Sequence, residues 1–154
     1  MKNYLILLIS IICFSCQQKE KNKARVNNSD GITTKKKKEV NKQIGDTIFM
    51  NFMDEKGLLI AESLLDSLHP RIYVRFKNKE LGILNAKLIP TTGKGNIRFN
   101  QIIFPDKTSE GPFGMDLQID LKQNGNYIII IGRSLMADNP FYGKFKVQLE
   151  SKKE

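Results

Sequence analysis

The chain has 154 residues, a net charge of +9 and two cysteines, at positions 13 and 16. Beyond residue 16 there is no thiol for a disulfide, a thiolate metal site or a cysteine nucleophile. Residues 1–43 carry a net charge of +7 and residues 44–154 only +2. This distribution argues against nucleic-acid binding, which needs a basic stripe on a folded surface.

The first residues have the three parts of a secretory signal. Lys2 supplies the charge, residues 4–14 are almost entirely apolar, and the small residue Ser15 precedes Cys16. The segment resembles a bacterial lipoprotein signal, in which residues 1–15 are removed and Cys16 becomes the lipid-carrying N-terminus. The apolar run of about eleven residues is shorter than the roughly 20 that span a bilayer. An ordinary secreted protein is the alternative.

The lipoprotein resemblance implies attachment to a membrane of the bacterial cell envelope through the lipid on Cys16. We expect the outer membrane, with the protein on its periplasmic or surface side. Residues 16–43 are rich in Lys, Asn, Gln, Ser and Thr, and such a segment buries too little apolar surface to fold. We predict a disordered basic linker, in which Lys35–Lys38 is either a solvated spacer or a contact for anionic lipid.

The composition of the chain changes at residue 44, and the length of residues 44–154 predicts one folded domain of ordinary size. Apolar residues recur mostly at every second position, which indicates strands, and residues 71–77 show the alternation clearly. Residues 58–68 also fit one face of a helix, but we favour a short strand there. The predicted strands are 47–53, 58–62, 71–77, 81–89, 96–104, 115–121, 127–131 and 142–149.

Seven or eight short strands at regular spacing predict an all-β fold, a single antiparallel β-sandwich. The pair Asn124-Gly125 predicts a tight hairpin turn between the strands at 115–121 and 127–131. The apolar run at 127–131 predicts a strand that is covered on both faces.

The domain contains no plausible catalytic set. His69 is the only histidine of the chain, and no nucleophile and base partner it in a defensible order. Asp116 and Asp120 share one strand face, which is typical of a solvated surface. A calcium site with Asp106 or Asp138 remains open. We therefore expect a protein that is not an enzyme and has no cofactor.

Loops are the better candidates for binding, because connections on a rigid sandwich tend to hold binding residues. The loops at 106–114, 123–126 and 134–141 are long or distinctive enough to consider. Tyr127 and Arg133 lie near the second loop, at the two ends of one strand, and Met136 and Phe141 are apolar residues within the third loop. These two either contact a ligand or cap the end of the sandwich.

The last third of the chain resembles the periplasmic inhibitors of goose-type and invertebrate-type lysozymes. The resemblance depends on Asn124-Gly125-Asn126-Tyr127, on residues 128–133, on Met136-Ala137 and on residues 142–145. Those inhibitors are β-sandwiches that insert a loop with a Ser-Gly-x-Tyr motif into the lysozyme cleft. Asn124 stands here where the motif has serine. The same Gly-x-Tyr start of a strand resembles other secreted β-sandwiches, including domains appended to bacterial peptidases.

The sequence therefore predicts a lipid-anchored, extracytoplasmic binding module. The resemblance implies that its partner is a lysozyme-type hydrolase, contacted by a protruding loop. The alternative is an accessory domain that binds envelope glycan or a partner envelope protein. We expect no nucleic-acid partner. The candidate binding residues are Asn124, Gly125, Tyr127, Arg133, Met136 and Phe141.

Overall fold

The computed structural model of the protein describes residues 40–134 and 136–153. In it, strands with alternating apolar residues form two sheets that pack against each other. This part of the chain is all β and contains no helix, so the predicted β-sandwich is confirmed. The ten strands are β1 Lys42–Ile44, β2 Thr47–Met50, β3 Leu59–Leu65, β4 Arg71–Asn78, β5 Gly82–Pro90, β6 Ile97–Ile103, β7 Ser109–Glu110, β8 Asp116–Leu121, β9 Gly125–Arg133 and β10 Gly143–Lys153.

One sheet has six strands in the order β1-β2-β4-β9-β6-β7, and the other has four in the order β3-β10-β5-β8. The prediction of a purely antiparallel sandwich is wrong at one pair, because β2 and β4 run parallel. Between them the chain crosses to the opposite sheet to form β3. That crossover supplies the long connection that parallel neighbours require.

The core lies between the two sheets and is built from every second residue of each strand. In β4 the inward residues Ile72, Val74 and Phe76 are buried, while Arg71 and Arg75 are exposed. The largest fully buried side chains come from both sheets: Tyr127, Phe99, Phe141, Phe145, Ile48, Leu65, Ile72, Leu84, Leu88, Ile102, Leu121 and Ile129. A sandwich of this kind leaves each sheet with one outward face that is free for binding.

The predicted hairpin at Asn124-Gly125 is wrong. Strand β8 pairs with β5 in the four-stranded sheet, whereas β9 pairs with β4 and β6 in the six-stranded sheet. A type I′ turn needs two consecutive residues at positive φ, but here Gly125 has a φ of +143° and Asn124 is not at positive φ. The Asn-Gly pair therefore marks a crossing from one sheet to the other.

The folded part also begins earlier than the predicted boundary between residues 43 and 44, because Lys42 and Gln43 belong to β1. The Asn41 side chain donates to the carbonyl oxygens of Phe52 and Ile60, both at 2.9 Å. The Ser63 hydroxyl donates to the Gln43 side chain at 2.6 Å. These bonds tie the start of the fold to both sheets.

The signal at residues 1–15, Cys16 and the linker up to residue 39 lie outside the described residues, and their predictions stay predictions. In the part that the structure describes, no helix is long and apolar enough to cross a membrane. Strand β3 confirms the strand interpretation of residues 58–68, although it extends to Leu65. The strands β1 and β7, with three and two residues, were not predicted.

Candidate functional site

Two of the predicted binding residues are not available to a ligand. Tyr127 is 0% exposed and Phe141 is 2% exposed, and both belong to the core between the sheets. Tyr127 falls on the inward side of β9, where its ring stacks on Phe76 with centroids 5.3 Å apart. Phe141 fills the end of the sandwich, which is the structural alternative that the sequence left open. The prediction that these two residues form a binding surface is wrong.

The hydroxyl of Tyr127 is bonded inside the protein. It donates to the carbonyl oxygen of Gln123 at 2.8 Å. Burial raises the pKa of the Tyr127 phenol, and the negative charge of Asp106 raises it further. The side chain therefore stays neutral and serves as an anchor for the 123–126 loop.

The 123–126 loop is fixed at several points. The Gln123 amide donates to the Asp106 carboxylate at 2.8 Å, and the Asn78 amide donates to the Gln123 carbonyl at 3.4 Å. A Cβ on Gly125 would approach Pro105 Cβ to 2.9 Å, so glycine allows a close approach here. Asn124 is exposed at the tip of this loop. Of the three predicted binding residues in the loop motif, Asn124, Gly125 and Tyr127, only Asn124 is exposed.

Arg133 and Met136 do lie together, at one end of a groove of about 750 Å³ on the outer side of the six-stranded sheet. Met136 is 94% exposed. The Arg133 guanidinium donates from Nη1 to the Tyr142 hydroxyl at 2.8 Å. The groove is also lined by residues that the sequence did not single out: Asp46, Pro70, Arg71, Tyr73, Arg98, Asn100, Gln101, Pro112 and Ile130.

The outward residues of the six-stranded sheet form rows, because directly paired residues on neighbouring strands point to the same face. We call this surface the basic face. Its first row pairs Arg71 with Gly132 and Gly132 with Arg98. The second row runs Ile44, Thr47, Tyr73, Ile130, Gln101, and the third runs Lys42, Phe49, Arg75, Ile128, Ile103. The three rows contain four cationic side chains and no carboxylate.

The arginines are concentrated on this face. All four arginines of the described residues lie on it or at its end: Arg71, Arg75, Arg98 and Arg133. Within residues 40–134 and 136–153, no carboxylate lies within ion-pair distance of any of them. Two are oriented by neutral partners instead, since Arg98 Nε donates to Asn100 at 3.1 Å and Arg133 to Tyr142.

The outer face of the four-stranded sheet has a different charge pattern. Four lysines there are balanced by four carboxylates: Lys87, Lys144, Lys146 and Lys152 against Glu62, Asp116, Asp120 and Glu150. Lys146 pairs with Glu62 in register, and their charged atoms are 3.2 Å apart. The small net charge of the domain therefore does not show that the outer face of the four-stranded sheet is neutral while that of the six-stranded sheet is basic.

Gly132, which pairs with both Arg71 and Arg98, is buried, and its neighbours fill the space that a side chain would take. An added Cβ there would lie 2.7 Å from the Asn100 amide nitrogen, 3.3 Å from the Pro70 carbonyl oxygen and 3.6 Å from Arg71 Cγ. Asn100 is in this place because β6 contains a bulge between Phe99 and Gln101, which inserts one extra residue. The Asn100 side chain therefore lies over Gly132, and its carbonyl oxygen accepts the hydrogen bond from Arg98 Nε.

The described residues show no arrangement that suggests catalysis. His69 lies 3.1 Å from Asp66 and 3.7 Å from Asp46, and no nucleophile is in contact with it. The backbone amide of His69 donates a hydrogen bond to the Asp66 carboxylate. This bond is the main reason that the pKa of Asp66 lies below its ordinary value. Over the part of the chain that is described, no three His, Cys, Asp or Glu side chains come together as metal ligands.

The sequence contained a signal for the basic face that composition concealed. The alternation in residues 71–77 places Arg71, Tyr73, Arg75 and Lys77 on one side of a strand. Which strands lie beside it depends on the pairing of β4 with β9 and of β9 with β6. Without that pairing, Arg98 and Gly132 could not be recognised as neighbours of Arg71.

No protein-family model and no curated protein matches this chain. Among solved structures, the pre-peptidase C-terminal domain of collagenase from Bacillus anthracis is similar, with 10% identity and a TM-score of 0.43. The similarity covers 74% of this chain and 100% of that chain. A likeness of this size leaves the function to be argued from the geometry of the chain itself.

Proposed function

We propose that this protein is a lipid-anchored, extracytoplasmic binding module without catalytic activity, and that its ligand contacts the basic face. The observation that supports the proposal most strongly is the gathering of three arginines on the outer face of one sheet with a fourth at the end of its groove, all free of ion pairs among the described residues. The signal at residues 1–15 and Cys16 supports the anchor and the location.

The basic face brings no evident benefit to folding. Like charges on one face repel each other, whereas opposite pairs across strands contribute a few tenths to about 1 kcal/mol. Lys146 and Glu62 form such a pair on the other sheet, but Arg71, Arg75 and Arg98 have no carboxylate partner among the described residues. Unpaired arginines beside aromatic and aliphatic side chains are typical of recognition surfaces.

The face also offers apolar contact surface between its charges. Tyr73, Ile128 and Ile130 lie half-buried in the rows, and Phe49 is exposed at the β2 end. A second hollow of about 370 Å³ is lined by Phe49, Arg75 and Ile128 among others. Apolar floors with a few convergent polar groups are the usual composition of ligand sites. Envelope glycans and partner proteins both fit this description.

Two charge-matched double variants test the proposal. Arg71→Glu with Arg75→Glu reverses two charges on the basic face, and Lys144→Glu with Lys146→Glu does the same on the opposite face. We would measure co-sedimentation of the full-length proteins with cell-envelope glycan and with envelope protein fractions. The first variant should bind at least tenfold more weakly than wild type, and the second should lose less than twofold. Equal binding by the first variant and wild type would overturn the proposal.

Inhibition of a lysozyme is a second candidate, favoured by the anchoring of the 123–126 loop. Bonds from Tyr127, Asn78 and Gln123 fix the loop, while Asn124 stays exposed at its tip. A rigid loop enters a cleft at a lower entropic cost than a mobile one. The wild-type protein should inhibit a goose-type or invertebrate-type lysozyme, and Asn124→Ala should weaken the inhibition. Failure of the wild type against every lysozyme class would end this candidate.

A further inference from the structure

We propose that the end of the sandwich at which the chain enters the fold rests on an anionic lipid surface, with the groove of the basic face directed away from it. The inference rests on the lipid anchor of the proposed function and adds the orientation of the anchored domain. Cys16, which the lipoprotein interpretation lipidates, lies 24 positions before Val40, the first described residue. The anchor is therefore attached at one particular end of the sandwich. We call this part, formed by Val40, residues 51–58 and residues 79–81, the entry end.

The strand pairings show which connections lie at the entry end. Strand β1 runs antiparallel to β2, so the start of β1 lies beside the end of β2. There the Asn41 side chain accepts a hydrogen bond from the backbone amide of Phe52 at 2.9 Å. Met50 at the end of β2 pairs with Phe76 near the end of β4, and this pairing brings residues 79–81 to the same end.

The groove lies toward the opposite end of the sandwich. Arg71 is the first residue of β4, and it pairs with Gly132, which directly precedes Arg133 at the end of β9. Met136 follows in the connection after β9, and it lines the groove together with Arg71 and Arg133. A domain that rests on its entry end therefore keeps the groove open to a ligand in the surrounding medium.

Large apolar side chains are exposed at the entry end. Met53 is 65% exposed and Val40 is 54% exposed, and Phe52 and Leu81 are exposed as well. Proteins that lie on a bilayer place aromatic and aliphatic side chains of this kind at the boundary between head groups and acyl chains. The entry end thus offers an apolar contact surface next to the point where the chain comes from the anchor.

The loop that carries these side chains is fixed by hydrogen bonds. Met53 forms a bridge with Leu59 at the start of β3. The Asp54 carboxylate accepts from the backbone amides of Lys56 and Leu58, both at 2.9 Å. A loop that is already ordered contacts a surface at a lower entropic cost than a loop that must be ordered on binding.

The charges beside the apolar side chains favour an anionic surface. A hollow of about 630 Å³ is lined by Met53 and by Lys77, Lys79 and Lys153. Glu80 is the only carboxylate among its described lining residues, and it pairs with Lys153 at 2.7 Å. Lys77 and Lys79 have no ion-pair partner within residues 40–134 and 136–153. Two positive charges at this hollow are therefore available to lipid head groups.

The sequence just before the fold adds to this positive charge. Residues 35–39, four lysines and one glutamate, carry a net charge of +3, whereas residues 54–56 of the entry end carry −1. Basic residues within about 10 Å of an anionic leaflet are attracted to it. The net charge on both sides of Val40 is thus complementary to an anionic lipid surface.

The chain contains no tryptophan, so one introduced tryptophan reports lipid contact at a chosen position. Met53→Trp places it at the entry end. Leu68→Trp is the matched control at the opposite end, where Leu68 is 80% exposed in the connection between β3 and β4. The full-length lipidated proteins would be held in vesicles of phosphatidylglycerol and phosphatidylcholine with brominated acyl chains. Fluorescence from position 53 should be quenched about threefold more strongly than fluorescence from position 68.

A second set of variants tests the charge of the lipid surface. Lys77→Gln with Lys79→Gln, added to Met53→Trp, should reduce the quenching about twofold, as should vesicles of phosphatidylcholine alone. Lys94→Gln with Lys144→Gln removes the same charge at the opposite end and should leave the quenching unchanged. Circular dichroism would verify that each variant is folded, and Phe52→Trp would replace Met53→Trp if that variant misfolds.

Three results would overturn the inference: equal quenching at positions 53 and 68, stronger quenching at position 68, or equal quenching in vesicles with and without phosphatidylglycerol. If Arg71→Glu with Arg75→Glu still loses its envelope ligand in these cases, the proposed function stands and only the orientation is wrong. Mass spectrometry before reconstitution would establish the lipid on Cys16. Its absence would refute the anchor of the proposed function and, with it, this inference.

Discussion

The hydroxyl of Tyr127 donates a 2.8 Å hydrogen bond to the carbonyl oxygen of Gln123, four residues earlier in the chain. The bond closes the crossing from β8 in one sheet to β9 in the other. The Tyr127 ring is buried between Phe76, which stacks on it, and Phe104, which meets it edge-on with centroids 5.9 Å apart. The residue that the lysozyme-inhibitor motif predicts as a contact is here a structural link between the sheets.

We expect Tyr127→Phe to lower the free energy of unfolding by about 1 kcal/mol, because the ring stays packed while the hydrogen bond is lost. Tyr127→Ala should lower it by about 3–5 kcal/mol through the cavity it leaves. Urea unfolding of the full-length protein measures both. Tyr142→Phe is the control, since that ring is 46% exposed and its hydroxyl bonds only to Arg133 among the described residues. An equal loss in Tyr142→Phe and Tyr127→Phe would contradict the structural role.

Asn41 should matter for stability although it lies inside the predicted linker. Its side chain donates to Phe52 and Ile60 and accepts from the backbone amides of Asn51 and Phe52, at 2.7 and 2.9 Å. Asn41→Ala should therefore lower the free energy of unfolding by about 2 kcal/mol. Asn124→Ala, at an exposed loop tip, should change it by less than about 0.5 kcal/mol. If both variants unfold at the same urea concentration as wild type, the fold begins after Asn41.

Asp106 should make part of the stability depend on pH. Hydrogen bonds from the Thr108 hydroxyl, the largest cause, and from the Gln123 amide lower the pKa of Asp106 below its ordinary value of 3.8. Because the pKa of Asp106 is lowered by folding, its ionised side chain contributes fully to stability at any pH above its pKa in the unfolded state. That contribution is lost as the pH falls through its pKa in the folded state. Asp106→Asn should therefore flatten the loss of stability as the pH falls below 3.8, the ordinary pKa value of this carboxyl.

Thermal unfolding followed at several pH values would measure this effect. Asp116→Asn is the control, because the Asp116 side chain is exposed and makes no hydrogen bond or ion pair within the described residues. That variant should keep the wild-type slope in the acid range. If Asp106→Asn keeps the wild-type slope as well, the bonds to Thr108 and Gln123 do not stabilise the charged form.

Cys16→Ser should leave the protein without lipid and release it from the membrane fraction. Each buried methylene contributes about 0.8 kcal/mol to membrane attachment, and stable anchoring takes about two acyl chains. Metabolic labelling with a radioactive fatty acid, followed by fractionation, would measure both effects. Cys13→Ser is the matched control and should remain labelled, because residue 13 lies within the predicted signal. Labelled Cys16→Ser protein would refute the lipoprotein interpretation.

Alternation of apolar residues, or at 127–131 a continuous apolar run, predicted eight of the strands because each lies in a segment long enough to show such a pattern. Strands β1 and β7 have only three and two residues, so no period can be detected in them. The failure at Asn124-Gly125 has another cause. A turn signal indicates that the chain changes direction, but the sheet that the next strand joins is decided by packing, here by the burial of Tyr127 against Phe76.

The binding surface was harder to predict than the fold. Net charge is summed over the whole domain, so a value of +2 for residues 44–154 does not reveal that the cations without carboxylate neighbours share one face. Arg71 and Arg98 are 27 positions apart in the chain and come to lie on either side of one residue only because both pair with Gly132 on β9. Arg133 was singled out for its place beside a loop, and its position at the end of the groove follows from the same sheet order.

Photo-crosslinking in living cells tests most directly whether the basic face is the binding surface. A photoreactive amino acid would replace Tyr73 in the second row of that face, and in a parallel strain Asn85 on the outer face of the four-stranded sheet. We predict a crosslinked adduct of the full-length protein from position 73 and none from position 85. An adduct from position 85 with none from position 73 would contradict the account.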